Sequence, residues 1–305
     1  MTNTTAPRLL HTYPVLTPGA GPYALAAGPD GNLWCTLVHA GRIARLSPDG
    51  HLDEFAQDSP GCGPSLIAPG PDGALWFTRN RDHRIGRITT DGRSRAYDLP
   101  GPGSGPYGIT AGPDGALWFT QMHTDRIGRI TVDGDLTEYE LPCEGAFPSF
   151  ITAGADGALW CTLNQADALA RITVSGEVRL YPLPVPGTAP VGLAAAPDGT
   201  LWFAGIGTGV IGRMDTGGEV TEYPLPDPRC RPHAVAVAPD GSCWFTEWAT
   251  GRIGRVTPDG RITEVPLPDP GCEPHGLVFG PDGTLYVALE SGAVTRWEVG
   301  AAPGR

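Results

Sequence analysis

The chain repeats itself every 42 residues. Asp-Gly pairs begin at Asp30, Asp72, Asp114, Asp156, Asp198, Asp240 and Asp282, with no insertion or deletion between them. Four positions after each Asp stands an aromatic residue: Trp34, Trp76, Trp118, Trp160, Trp202, Trp244 and, in the seventh unit, Tyr286. A second glycine turn follows in each of the first six units, as at Asp49-Gly50 and Asp133-Gly134. A strict period of this length means an array of like units that bury their apolar faces on one another. It also explains the 44 Gly and 33 Pro. Without a period they would suggest low complexity; with one they are regularly placed turns.

One unit shows what is repeated. Tyr107 to Gly112 is a short apolar run, and Pro113-Asp114-Gly115 is a turn, because Asp-Gly tolerates the positive φ of a tight hairpin. Leu117 to Gln121 reads as a second strand, with Trp118 and Thr120 alternating against Leu117 and Phe119. Arg126 to Val132 and Leu136 to Leu141 supply two more strands around Asp133-Gly134. Four short antiparallel strands per unit is the pattern of a propeller blade. The fold class expected is all-β: a seven-bladed β-propeller of four-stranded blades, one domain over residues 1–305. The seventh unit stops after three strands, near Trp297. Leu9 to Tyr13 falls in the same frame as His51 to Phe55. Residues 8–16 are therefore expected to complete the last blade and remove its open edge. The recurring Trp is expected to pack between blades.

Composition narrows the partners. The net charge is -12, and all 21 basic residues are Arg, so lysine chemistry is excluded. An acidic chain without a basic run is not expected to bind nucleic acid or an anionic membrane. Met1 to Pro7 is polar and lacks the apolar core of a signal peptide. Seven Cys without a CxxC pair suggest reduced thiols, with Cys62, Cys230 and Cys272 in one frame position as packing groups, in a cytoplasmic monomer.

Function is sought where the repeat departs from itself. In a four-stranded blade both Asp-Gly hairpins lie on one face of the disc. The start of strand one and the end of strand two therefore share the other rim. At one frame position stand Tyr23, Ser65, Tyr107, Ser149, Val191, His233 and His275. Two positions earlier the last unit carries Glu273, and the end of its second strand carries Glu290. Glu273, His275, Glu290 and His233 are thus expected to converge at one mouth, with Tyr23 facing them from the first blade and Glu247 and Trp248 beside them. Converging polar groups in a concavity are what a site requires. Arg79, Asn80, Arg81, Asp82 and His83 are taken as a solvated loop. Two carboxylates about an imidazole suit a hard cation such as Mg²⁺. They would equally serve to orient the histidines.

The repeat, with its "GITAGPDGALWFTQ", "RIGRIT" and "GDLTEYELP" segments, and Glu273-Pro274-His275 with Glu290 and His233, resembles that of virginiamycin B lyases, the streptogramin lyases, over essentially the whole chain. The resemblance implies an enzyme that linearises cyclic type B streptogramin depsipeptides by elimination at a threonine ester. It implies His275 as the base, Glu273 and Glu290 as carboxylates associated with Mg²⁺, and His233 in contact with substrate, placed to bind or protonate the departing group. A metal-assisted lactonase or esterase, and a non-catalytic binding scaffold, are the other readings. No G-x-S-x-G nucleophile motif is present.

Overall fold

The computed structural model describes residues 6–299. The ends of the expected 1–305 domain, and most of the polar stretch Met1 to Pro7, lie outside the described residues. The described chain forms seven four-stranded antiparallel sheets and no helix. Blades one to six each use four consecutive strands, from Pro22–Ala27 through Ile262–Pro266. Blade seven takes Pro274–Phe279, Leu285–Leu289 and Ala293–Glu298, and its outer strand is Arg8–Pro14 from the N-terminus. Thr12 pairs with Thr295 and Tyr13 with Val294, so the expected closure by the N-terminal strand is observed.

Strand two is enclosed on both of its alternating sides. All five residues of Leu117–Gln121 are buried, and the same holds for strand two of every blade. Both faces of a blade are covered by neighbouring blades at strand two, so neither face of that strand meets water. Packing there is matched pair by pair across strands two and three. Phe119 pairs with Gly128, and a Cβ on that glycine would overlap the ring. Where strand two carries the smaller Cys35 or Cys161, the partner is Ala44 or Ala170. Summed volume is kept while individual residues change.

The Trp lies between blades, as expected. Trp118 is fully buried and belongs to a cluster with Ile151, Leu159 and Cys161 of blade four. Its indole stacks on Tyr139 at 5.3 Å, and Nε1 donates to the Asp114 carboxylate at 3.0 Å. The Asp of the hairpin turn is thus also the acceptor that satisfies a buried indole donor.

Blade-to-blade bonds run close to the channel. Thr120 Oγ1 accepts from the Gly108 amide within its own blade. It donates to the Ser149 carbonyl of the next. Thr246 does the same for blades six and seven, donating to the His275 carbonyl at 2.8 Å.

Blade six contains an exception to apolar burial. Glu247 ends its second strand fully buried, beside Glu264. In blade three the equivalent pair is Gln121 donating to Glu138 at 2.6 Å, with Thr124 donating to Gln121. Thr250 likewise bonds Glu247, and Arg252 pairs with Glu264 at 2.8 Å. Burial first, then Glu264, pushes the Glu247 carboxyl up to about 7. The folded state thus holds a proton that the unfolded chain releases above the ordinary carboxylate range. Stability therefore falls as pH rises from about 4.5 to about 7. Glu247→Gln should remove that loss. Thermal melts should show a gain worth ~1 kcal/mol at pH 8 and none at pH 4. Equal gains at both pH values would contradict it.

Candidate active site

Strand one of every blade breaks register just after its first residue. In blade seven the irregularity falls between Pro274 and Leu277, in blade six between Pro232 and Val235, and in blade one between Pro22 and Leu25. A break of this kind re-aims a side chain out of the regular pleat. The residues so placed are His275, His233 and Tyr23. Blade seven can approach blade one because Gly276 has no side chain: a Cβ there would lie 2.6 Å from the Tyr23 carbonyl oxygen.

These side chains meet at the mouth of the channel. The His275 ring lies 4.5 Å from that of Tyr23 and 4.8 Å from that of His233, the latter edge-on at 88°. Trp248 closes a further side at 6.2 Å. His275 is 7% exposed, and neither ring nitrogen makes an aligned hydrogen bond. Its Nε2 nevertheless sits in close contact with Glu290 Oε2. The other carboxylate oxygen, Oε1, is held by His39 Nε2 at 2.6 Å. Glu290 is held down at about 2, first by His275 and then by His39, against the opposing effect of its own burial. It is therefore an anion at any ordinary pH.

His233 is different. It is 8% exposed, with Nδ1 unpartnered. Burial first, and the neighbouring His275 second, lower it to about 3. It is neutral near pH 7 and has no imidazolium proton to give. Of the two roles expected for it, binding a departing group fits a neutral ring better than protonating one. The Tyr23 hydroxyl bonds that of Tyr107 at 2.6 Å, and both reach toward His233 Nε2, at 3.4 and 3.5 Å. Burial pushes the Tyr23 hydroxyl up to about 12, so it stays a neutral donor.

Glu273 stands apart from this cluster. It is exposed, with a left-handed backbone at φ 48°. Its carbonyl accepts the Glu290 amide at 3.1 Å, which ties the two backbones together, yet its carboxylate makes no hydrogen bond or ion pair among the described residues. No group of three or more His, Cys, Asp or Glu side chains is placed to hold a metal among the described residues. Two carboxylates on bonded neighbouring strands are still a donor set that suits Mg²⁺, which takes one or two and keeps waters or substrate oxygens for the rest.

The surroundings revise two expectations and add two residues. Trp248 borders the site, but Glu247 faces Glu264 within blade six. Arg79 is not solvated; it is 1% exposed and paired with Asp58 and Asp82. His39 and Tyr107 belong to the site and were not singled out from the sequence. Tyr107 occupies the histidine column. His39 becomes visible once blade one is set beside blade seven.

The cavity at this mouth is about 340 Å³ and is lined by Tyr23, His39, Arg81, Tyr107, His123 and Glu290, among others. Beneath Tyr23 and His233 the channel narrows to an apolar space of about 140 Å³ among Leu25, Ile67, Ile109 and Leu277. A larger groove of about 410 Å³ lies on the Asp-Gly side of blades six and seven, away from the ionisable cluster.

The model of the virginiamycin B lyase family matches residues 8–297. The chain belongs to that family. A solved streptogramin B lyase is 41% identical, with a TM-score of 0.92 over 96% of this chain and 98% of that one. A catalytically inactive histidine-to-alanine virginiamycin B lyase from Staphylococcus aureus, solved with quinupristin, is also 41% identical, with a TM-score of 0.92 over 95% and 99% of the two chains. The virginiamycin B lyase of Mycobacterium sp. (strain KMS) is 69% identical over 35 residues, a segment spanning 12% of each chain.

Proposed function

We propose that this member of the virginiamycin B lyase family is a carbon–oxygen lyase that opens cyclic type B streptogramin depsipeptides, and so inactivates them, by β-elimination at the threonine ester. The observation that carries the reading is His275: a buried imidazole whose Nε2 lies against the anionic Glu290 carboxylate and whose Nδ1 has no partner, at the mouth of a cavity. A catalytic histidine is also what the inactive Staphylococcus aureus variant leads one to expect.

In this reading His275 removes the threonine α-proton. The electrons of that C–H bond form the new double bond, the Cβ–O bond breaks, and the oxygen leaves as a carboxylate. Glu290 stabilises the positive charge that develops on the ring, and His39 keeps the carboxylate from turning away. A carboxylate is stable near pH 7 without a proton, so a neutral His233 is sufficient to donate a hydrogen bond to the ester. Glu273 and Glu290 would hold Mg²⁺. Such an ion supplies Lewis-acid stabilisation of a carbonyl oxygen when bound.

Ring opening of a cyclic type B depsipeptide, followed by chromatography, tests the reading. Wild type should consume the ring, and His275→Ala should not. Chelation with EDTA should slow wild type and added Mg²⁺ should restore it. Full activity in EDTA would remove the metal from the scheme while leaving the base in place.

A further inference from the structure

The rim around the site is built in two ways. The residue before strand one has positive φ in all seven blades. In blades one to three it is Gly21, Gly63 and Gly105, and the residue two past strand two is basic: His39, Arg81 and His123. Each basic side chain lies across its glycine. A Cβ on Gly63 would come 2.8 Å from Arg81 Cγ, and one on Gly105 would come 2.6 Å from His123 Nδ1. In blades four to seven a side chain occupies the left-handed position, at Phe147, Ala189, Arg231 and Glu273, with φ of 54, 48, 52 and 48°. The partner there is Gln165, Gly207, Ala249 or Ser291. Left-handed backbone is comfortable for glycine and costs other residues. Blades one to three use it so that a basic side chain can cover the turn and face the mouth.

The arc so made sets one arginine between two histidines on an acidic protein, and it lines the same cavity as Glu290. His39 is engaged by Glu290. Arg81 is exposed and has no ion pair among the described residues, whereas Arg79 and Arg84 of the same blade are both paired. The cavity is thus lined both by an uncommitted guanidinium and by Glu290, the carboxylate that lies against His275.

The proposed elimination turns a neutral ester into an anion. An uncommitted arginine is well suited to a group that acquires charge in this way, because guanidinium binds carboxylate through paired, charge-assisted hydrogen bonds. We propose that Arg81, flanked by His123, is the subsite that takes the carboxylate of the opened chain. This rests on the elimination reading for the origin of that carboxylate.

The test uses two linear probes made from the cyclic depsipeptide: the seco-acid released by alkaline opening of the ester, and its methyl amide. Binding of each to wild type, Arg81→Gln and Arg81→Lys is measured calorimetrically at low salt. Wild type should bind the acid about tenfold more tightly than the amide. Arg81→Gln should bring the acid down to the amide and leave the amide unchanged, and Arg81→Lys should retain part of the preference. Equal binding of acid and amide by wild type, or a preference that survives Arg81→Gln, would overturn the assignment. Ring opening of the cyclic substrate by wild type is read separately. Its absence would refute the lyase reading whatever the probes show.

Discussion

Replacing His275 with Ala is expected to lower ring opening of a cyclic type B depsipeptide by about 10³-fold, the usual worth of a positioned base. The side chain sits at the channel mouth, and its backbone is fixed independently by the Thr246 hydroxyl. The variant should therefore keep its fold, which circular dichroism and a thermal melt would show. His275→Gln is a second variant of similar bulk and should be equally inactive. Its inactivity would separate loss of the base from loss of packing against Tyr23 and Trp248. Activity within a few-fold of wild type in either variant would take His275 out of the reaction.

Trp118→Ala is expected to have the largest effect on stability, about 4 kcal/mol. The indole is fully buried between blades three and four, stacks on Tyr139 and donates to Asp114. Truncation leaves a cavity the size of the indole and takes from the Asp114 oxygen its shorter bond, leaving the Ala116 amide at 3.4 Å. Arg129 still holds the other oxygen at 2.7 Å. Denaturant titration measures the loss as a lower midpoint. A loss under about 1 kcal/mol would mean that the blades re-close over the gap, against the tight packing assigned to the interface.

The architecture was legible because the repeat is exact in length: turn residues and Trp recur in register, and a count of units is a count of blades. The rim was legible for the same reason, since one frame position in seven blades is one ring around an axis. Its residues His275, His233 and Tyr23 came together where the register placed them. What escaped were properties set by neighbours in space. The full burial of strand two escaped because alternation along one strand says nothing about a second sheet lying over it. Arg79 looked solvated because its partners Asp58 and Asp82 stand outside strand two. Glu247 looked like part of the mouth, although its partner is Glu264 in the same blade. His39 escaped because it sits one position past the column of Glu290 and reaches it only when blade one closes on blade seven. Glu273 shows the reverse: frame position brought it to the rim, while its left-handed backbone leaves the side chain exposed.

The central claim is elimination by a buried histidine, and the mass of the product tests it most directly. Wild type is incubated with a cyclic type B depsipeptide in ¹⁸O-labelled water, and the linear product is weighed by mass spectrometry. Elimination predicts a product isomeric with the substrate, with an unsaturated threonine residue and no label. A product heavier by one water, carrying the label, would mean hydrolysis, and His275 would not be the base that removes the threonine α-proton.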